Sequence, residues 1–230
     1  QVNIYGNHVG SWNFAATAHL NRWKVKIYYE HYFDDHSQMF FQYGRWKDGH
    51  IGLEITFPKN RFIDTFVYEG LGTKDQTGPM LYDSFWGEFE EQISAKDNYY
   101  NHYLYQGWQH WGMGIGNPLL PGPIYNKNGQ ITFISNRVLA HHIGFCGSPC
   151  QSLSYRMLLS YSRHWGTYDN PLNEIKKQFN SLFEVTYAPQ QLKGWSFTVS
   201  GAMDRGSILG NNYGGMLVIR KQGIIKSGNK

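Results

Sequence analysis

The sequence is poor in the features that mark most functional classes. Its two cysteines, Cys146 and Cys150, are by themselves a weak metal site. No apolar run approaches the roughly 18 residues that a membrane helix needs, which excludes helical membrane proteins. Charged residues make up only 17%, and no basic run is longer than a pair such as Lys176-Lys177. A phosphate-tracking surface needs clustered cations, so nucleic acid is not an expected partner. The spacings HExxH, DxDxDG and paired CxxC are missing, so no metal is expected; GxxxxGK[ST] and GxSxG are missing too, so neither a phosphate cradle nor acyl transfer is supported. At Gln1 there is no charged stretch leading into an apolar one. The expectation is that a targeting segment has been removed or that the chain begins inside a longer protein.

What is present is aromatic. In 230 residues there are 17 Tyr, 14 Phe, 8 Trp and 26 Gly, with a net charge of +4. This is a β-rich profile, and the length suffices for one large domain or two ordinary ones. Period-two alternation is the main signal. In LSYRMLLSYSRHW, Leu153, Tyr155, Met157, Leu159, Tyr161 and Trp165 share one face, while Ser154, Arg156, Ser160, Ser162 and His164 share the other. Trp23 to Glu30, Ile51 to Phe57 and Trp195 to Ser200 alternate likewise, and further strands are expected near Ser11 to Leu20, Phe62 to Leu71, Arg137 to Cys146, Ser181 to Tyr187 and Tyr213 to Lys221.

The connections sort by length. Short ones are expected at Asn21-Arg22, Pro58 to Arg61, Cys146 to Cys150 and Ala188 to Gly194, and long ones at Asp34 to Gly49, Gly72 to Asn136, Gly166 to Asn180 and Asp204 to Asn212. Short turns at one end and long loops at the other predict an up-and-down antiparallel barrel in an outer membrane, the long loops facing out. Aromatics at strand ends (Trp12, Trp23, Phe57, Phe62, Trp165, Tyr187, Trp195) suit an interfacial girdle. A soluble sandwich or lipocalin-like barrel also alternates, and remains the competing architecture. Nine strands, or ten if Val2 to Tyr5 ends another, close poorly on themselves, and an open edge in lipid is prohibitively costly. The expectation is that residues 1–230 form part of one larger barrel domain.

Several segments carry candidate chemistry. YYEHYFDDHSQMFF (Tyr28 to Phe41) gathers Glu30, His31, Asp34, Asp35 and His36 where a strand runs into a loop. Glu30 and Glu54, on neighbouring strands and polar faces, raise glycoside hydrolysis, which uses two carboxylates about 5 to 10 Å apart. Lys24, Lys26 and Arg156 offer the plainer reading of a charged lumen. YEGLGTKDQTGP (Tyr68 to Pro79) reads as an ordered loop over the barrel. NHYLYQGWQHWGMGIGNPLLPGPIYN (Asn101 to Asn126) sets rings beside amides, the equipment for gripping sugars. The glycan-binding candidates are Tyr32, Asp34, Asp35, His36, Gln76, Trp108, Gln109, Trp111 and Tyr125. In CGSPC, Cys146 and Cys150 are expected to face each other across a hairpin within disulfide reach. Asn170-Pro171, with Leu172, Ile175 and Phe179 following, predicts a short amphipathic helix.

YYEHYFDDHSQMFF, EGLGTKDQTGP, QGWQHWGMGIGNPLLPGPIYN, NRVLAHHIGF and GWSFTVSGAMDRGSILGNNYGGMLVIRK, in this order, resemble the Wzi-like capsule assembly proteins of the bacterial outer membrane. The chain is similar to the C-terminal half of such a protein, and CGSPC is a departure from the family pattern. The resemblance implies a large monomeric barrel with a blocked lumen, not an enzyme and without cofactor. Such a protein acts as a lectin holding capsular or other surface polysaccharide. Its other partners would be outer-membrane lipid and lipopolysaccharide, and the N-terminal half of the same barrel. A porin or glycan uptake channel and a surface glycoside hydrolase are the alternative functions.

Overall fold

Strands pair in the order in which they are synthesised. The computed structural model describes residues 10–33, 48–60, 62–80, 94–96, 98–101 and 109–223. Thirteen strands occur among them: β1 (Gly10–Leu20), β2 (Trp23–Phe33), β3 (Gly49–Thr56), β4 (Thr65–Gly72), β5 (Thr77–Met80), β6 (Ser94–Lys96), β7 (Gln109–His110), β8 (Met113–Gly114), β9 (Val138–Cys150), β10 (Leu153–Gly166), β11 (Pro171–Tyr187), β12 (Trp195–Gly206) and β13 (Asn212–Lys221). Nine form one antiparallel sheet in the order β1-β2-β3-β4-β9-β10-β11-β12-β13, a meander interrupted once. The interruption is the insert between β4 and β9, which carries the two small ribbons β5-β6 and β7-β8. Thus the chain is all-β, as the alternation predicts. Among the described residues no helix is long and apolar enough to cross a membrane, a statement that does not touch crossing by strands.

Register turns the alternation into two faces. One row runs Glu30, His50, Leu71, Ala140, Ser162 and Gln178 through successive partners. The next row on that face carries Tyr28, Gly52, Glu69, His142, Ser160, Asn180 and Asp204. This face is largely polar, although Val67, Leu158 and Leu182 also share a row on it. The opposite face carries Ile27, Leu53, Tyr68, Ile143 and Leu159 in one row, and Val25, Ile55, Phe66, Phe145, Met157 and Phe183 in another.

Burial is reversed relative to a water-soluble sheet. Ser162 and His164 on the polar face are each only 2% exposed, while Val199 and Leu217 on the apolar face are 61% and 65% exposed. Ile27, Ile51, Phe183 and Ile219 also lie open on the apolar face. At the end bearing the 21–22 turn, Trp23 packs on Phe57 with centroids 5.0 Å apart, and Trp195 stacks on Phe197 at 6.3 Å.

Three expectations are corrected. The segment after Asn170 is not a helix. It is the start of β11, where Lys176 opposes His164 and Pro171 opposes Gly166. Ladder pairing satisfies this backbone, and it overrides a helical spacing that had only three residues behind it. Next, the 167–170 and 207–211 connections are short, because β10, β11 and β12 run on past their expected ends. The contrast in loop length therefore rests on 34–48 and on the 73–137 insert. Last, CGSPC is not a turn. Cys146 and Cys150 both lie on β9, four residues apart, and the turn is 151–152. Four strand residues span about 13 Å, well beyond the Cα separation a disulfide tolerates. Both thiols are free.

Candidate functional site

The insert is tied to the sheet by one buried carboxylate. Asp48, 2% exposed just ahead of β3, accepts the backbone N–H of Asp75 at 2.9 Å and of Gln76 at 2.5 Å, and the Tyr99 hydroxyl at 2.9 Å. Burial pushes its carboxyl above the usual carboxylate range, against the lowering effect of these three donors. Asn136 adds a second knot: its Nδ2 donates to Asn98 Oδ1 at 2.5 Å and to the Tyr99 carbonyl at 2.8 Å. Thr73 Oγ1 and Gln76 Nε2 both donate to the Asn136 carbonyl, at 2.7 and 2.9 Å. Beneath, Leu120 of the insert joins Leu71, Val138 and Ala140 of the sheet in a small apolar core against which Tyr32, Tyr100 and Leu119 pack.

Between the polar face and the insert lies a cavity of about 670 Å³. The sheet supplies Glu30, His50, Glu69, His142 and Ser160, and the insert supplies Tyr100, Ile115, Asn117, Pro118 and Leu119. His50 sits between two carboxylates, with Nδ1 3.6 Å from Glu30 Oε2 and Nε2 3.5 Å from Glu69 Oε1. Ser11 Oγ donates to Glu30 Oε1 at 2.6 Å, and the Tyr28 hydroxyl donates to Glu69 Oε1. Tyr28 reaches Glu69 across β3 because Gly52 lies between them. A Cβ there would come within 2.0 Å of the Tyr28 ring. His142 Nδ1 and Ser160 Oγ are 2.7 Å apart. Among the described residues, no Lys or Arg lines the cavity.

A second exposed feature lies at the insert surface. Gln109-His110 pairs with Met113-Gly114 through the turn Trp111-Gly112. Both turn residues have positive φ, 53° and 78°, as type I′ hairpins require. Asn-Gly is the usual choice there, and a bulky residue in this region carries about 1–2 kcal/mol of strain. Yet Trp111 is 86% exposed, its ring edge-on to the neighbouring His110 at 6.2 Å, so little of that is repaid by packing. Ile124 N–H donates to the Gly112 carbonyl at 2.9 Å, bringing the 3-10 turn Pro123–Tyr125 against the hairpin. Met113, Ile124 and Tyr125 are exposed on the same module.

The sequence candidates therefore separate. Gln109, Trp111 and Tyr125 come together on the hairpin module, where Gln109 Nε2 donates to the Ile131 carbonyl at 3.0 Å. Tyr32 stands apart in the cavity. Gln76 is fully buried and holds the insert, so its expected place in an outward-facing glycan site is corrected. Asp34, Asp35, His36 and Trp108, like Val2 to Tyr5, lie outside the described residues. The Glu30 and Glu54 pair that glycoside hydrolysis would use is not brought together: Glu30 opposes His50, whereas Glu54 opposes Lys26 four residues further along β3. The carboxylate that shares the cavity with Glu30 is Glu69. Sequence reasoning missed it, although its parity on β4 relative to Leu71 was a usable signal.

An antiparallel meander with an exposed apolar face and a polar face covered in part by the insert defines the class of architecture. No family model matches the chain, and neither does any curated protein or solved structure.

Proposed function

We propose that the chain is part of an outer-membrane β-barrel that binds and retains capsular or other surface polysaccharide, as its resemblance to the Wzi-like proteins implies. The reversed burial supports the membrane half of this reading: a sheet that covers Ser162, His164 and Gln178 while leaving Ile27, Phe183 and Leu217 open suits lipid outside and a polar lumen within. Trp23, Phe57 and Trp195 then sit at one interface, and the insert lies toward the other.

The observation that carries the binding half is Trp111, an exposed indole held in a strained turn. Exposed rings stack on the apolar faces of sugars, and many weak contacts along a polymer give retention through multivalency. The test is to replace Trp111 and Tyr125 together by Ala and measure polysaccharide retained at the cell surface. Retention should drop while the heat-modifiable folded form persists on gels; unchanged retention refutes the assignment.

A transport channel is the second reading, favoured by the polar face and the cavity against it. Single-channel conductance in planar bilayers separates the two. The insert docked through Asp48 and Asn136 should leave little current.

A further inference from the structure

The cavity beneath the insert has two unlike walls. Its sheet side offers Glu30, Glu69, His50, His142 and Ser160 with Leu71 and Ala140 at one margin, and its insert side is mostly apolar, with Tyr100, Ile115, Pro118 and Leu119 around a single amide, Asn117. A pyranose has the same division, with hydroxyls around the rim and C–H groups on the ring face. The volume, about 670 Å³, falls within the roughly 300–1,000 Å³ typical of small-molecule sites. Charge narrows the class of sugar. Two carboxylates line the space and share one imidazole, His50, and among the described residues no Lys or Arg lines it, so an anionic ring would meet net repulsion. An amine would instead find Glu30 and Glu69 on either side of His50.

We propose that this cavity is a binding subsite for a single sugar residue that carries no negative charge, with preference for an amino sugar over a neutral hexose and exclusion of uronates. This rests on the surface-polysaccharide reading and adds to it a second point of contact, separate from the Trp111 hairpin. Tyr32 contributes from β2, its hydroxyl 3.4 Å from Glu30 Oε2, so one Glu30 carboxylate is held from two directions by Ser11 and Tyr32. Such fixing keeps the acceptor oriented before a ligand arrives.

The test is calorimetric titration of the full-length protein in detergent micelles with glucosamine, glucose and glucuronate. Binding in the order glucosamine, then glucose, with glucuronate at least tenfold weaker than glucosamine, supports the subsite. Glucuronate binding as well as glucosamine, or none of the three binding at tens of millimolar, overturns it. Glu69→Gln should weaken glucosamine about tenfold and glucose by less than threefold, and equal losses for both sugars overturn the charge argument. Because Gln keeps the size of Glu and can still accept the Tyr28 hydroxyl, heat-modifiability of the variant verifies the fold. Trp111→Ala separates the two ideas. If it abolishes polymer retention yet leaves glucosamine titration unchanged, both stand. If polymer is never retained but glucosamine binds, the surface reading fails and the subsite survives.

Discussion

Replacing Val199 by Arg puts the reversed burial to a quantitative test. Val199 is exposed near the middle of β12 on the apolar face, flanked in register by Val185 and Leu217. It lies four residues from Trp195 along the strand. At about 3.3 Å per residue and a tilt near 40°, that is about 10 Å along the membrane normal, close to the midplane of an apolar band about 25 Å tall. An Arg on the lipid face at that depth costs about 2–4 kcal/mol, which lowers the folding equilibrium constant about 30- to 1,000-fold. On a water-facing sheet the same substitution would fall within about 0.5 kcal/mol. The assay is urea-driven unfolding of the full-length protein from liposomes, read by tryptophan fluorescence. Leu192→Arg is the control, because Leu192 is exposed in the 188–194 turn outside the apolar band. A Val199→Arg cost no larger than that of Leu192→Arg would refute the membrane argument.

Other residues make separate predictions. Trp111→Asn should raise hairpin stability by about 1 kcal/mol, since Asn tolerates the left-handed backbone, while reducing polysaccharide retention. Stability by urea titration and retention should move in opposite directions, and parallel changes would show that Trp111 serves the fold. Gly52→Ala forces the Tyr28 ring off its path to Glu69 and should cost about 1–3 kcal/mol in the same titration. An unperturbed Ala variant would mean that the Tyr28 to Glu69 bond contributes nothing. Asp48→Ala leaves two backbone donors and the Tyr99 hydroxyl without their acceptor, at about 1–3 kcal/mol, and should expose the insert to protease. Because burial raises the Asp48 carboxyl, docking takes up a proton. Hydrogen-exchange protection of the insert should be fullest below the usual carboxylate pKa, near 4, and weaken as pH rises through the raised value. Asp48→Asn should flatten that profile.

The strands were legible because period two is a direct imprint of a two-faced sheet, and residues such as Leu153 to Trp165 carry it without interruption. The expected face assignments for β2, β3, β10 and β12 agree with the observed register. Strand ends were less legible. Residues 171–178 pair with β10 through contacts that no local spacing announces, and Leu172, Ile175 and Phe179 imitate a helical stripe while dividing between two faces of β11. Cys146 and Cys150 misled for a related reason, since Gly-Ser-Pro reads as a turn but extends β9. Among candidate site residues, Trp111 and Tyr125 stood out by composition. The cavity did not, because Glu30, His50, Glu69 and His142 come from four strands and meet only through cross-strand register.

The β4-β9 seam has a consequence for how the molecule assembles. Strands β1 to β4 and β9 to β13 are joined by local connections, whereas Thr65 must find Cys146 across the whole insert. Loop-closure entropy grows by about 0.6 kcal/mol per doubling of length, so the seam costs roughly 3 kcal/mol more to close than a tight hairpin. This favours two meanders that form first and zip together afterwards, with the Thr73 and Gln76 side chains closing on the Asn136 carbonyl as the latch across the seam. A chain cut within the insert should still reassemble from its two pieces, which makes the seam the natural place to divide this sheet and put it back together.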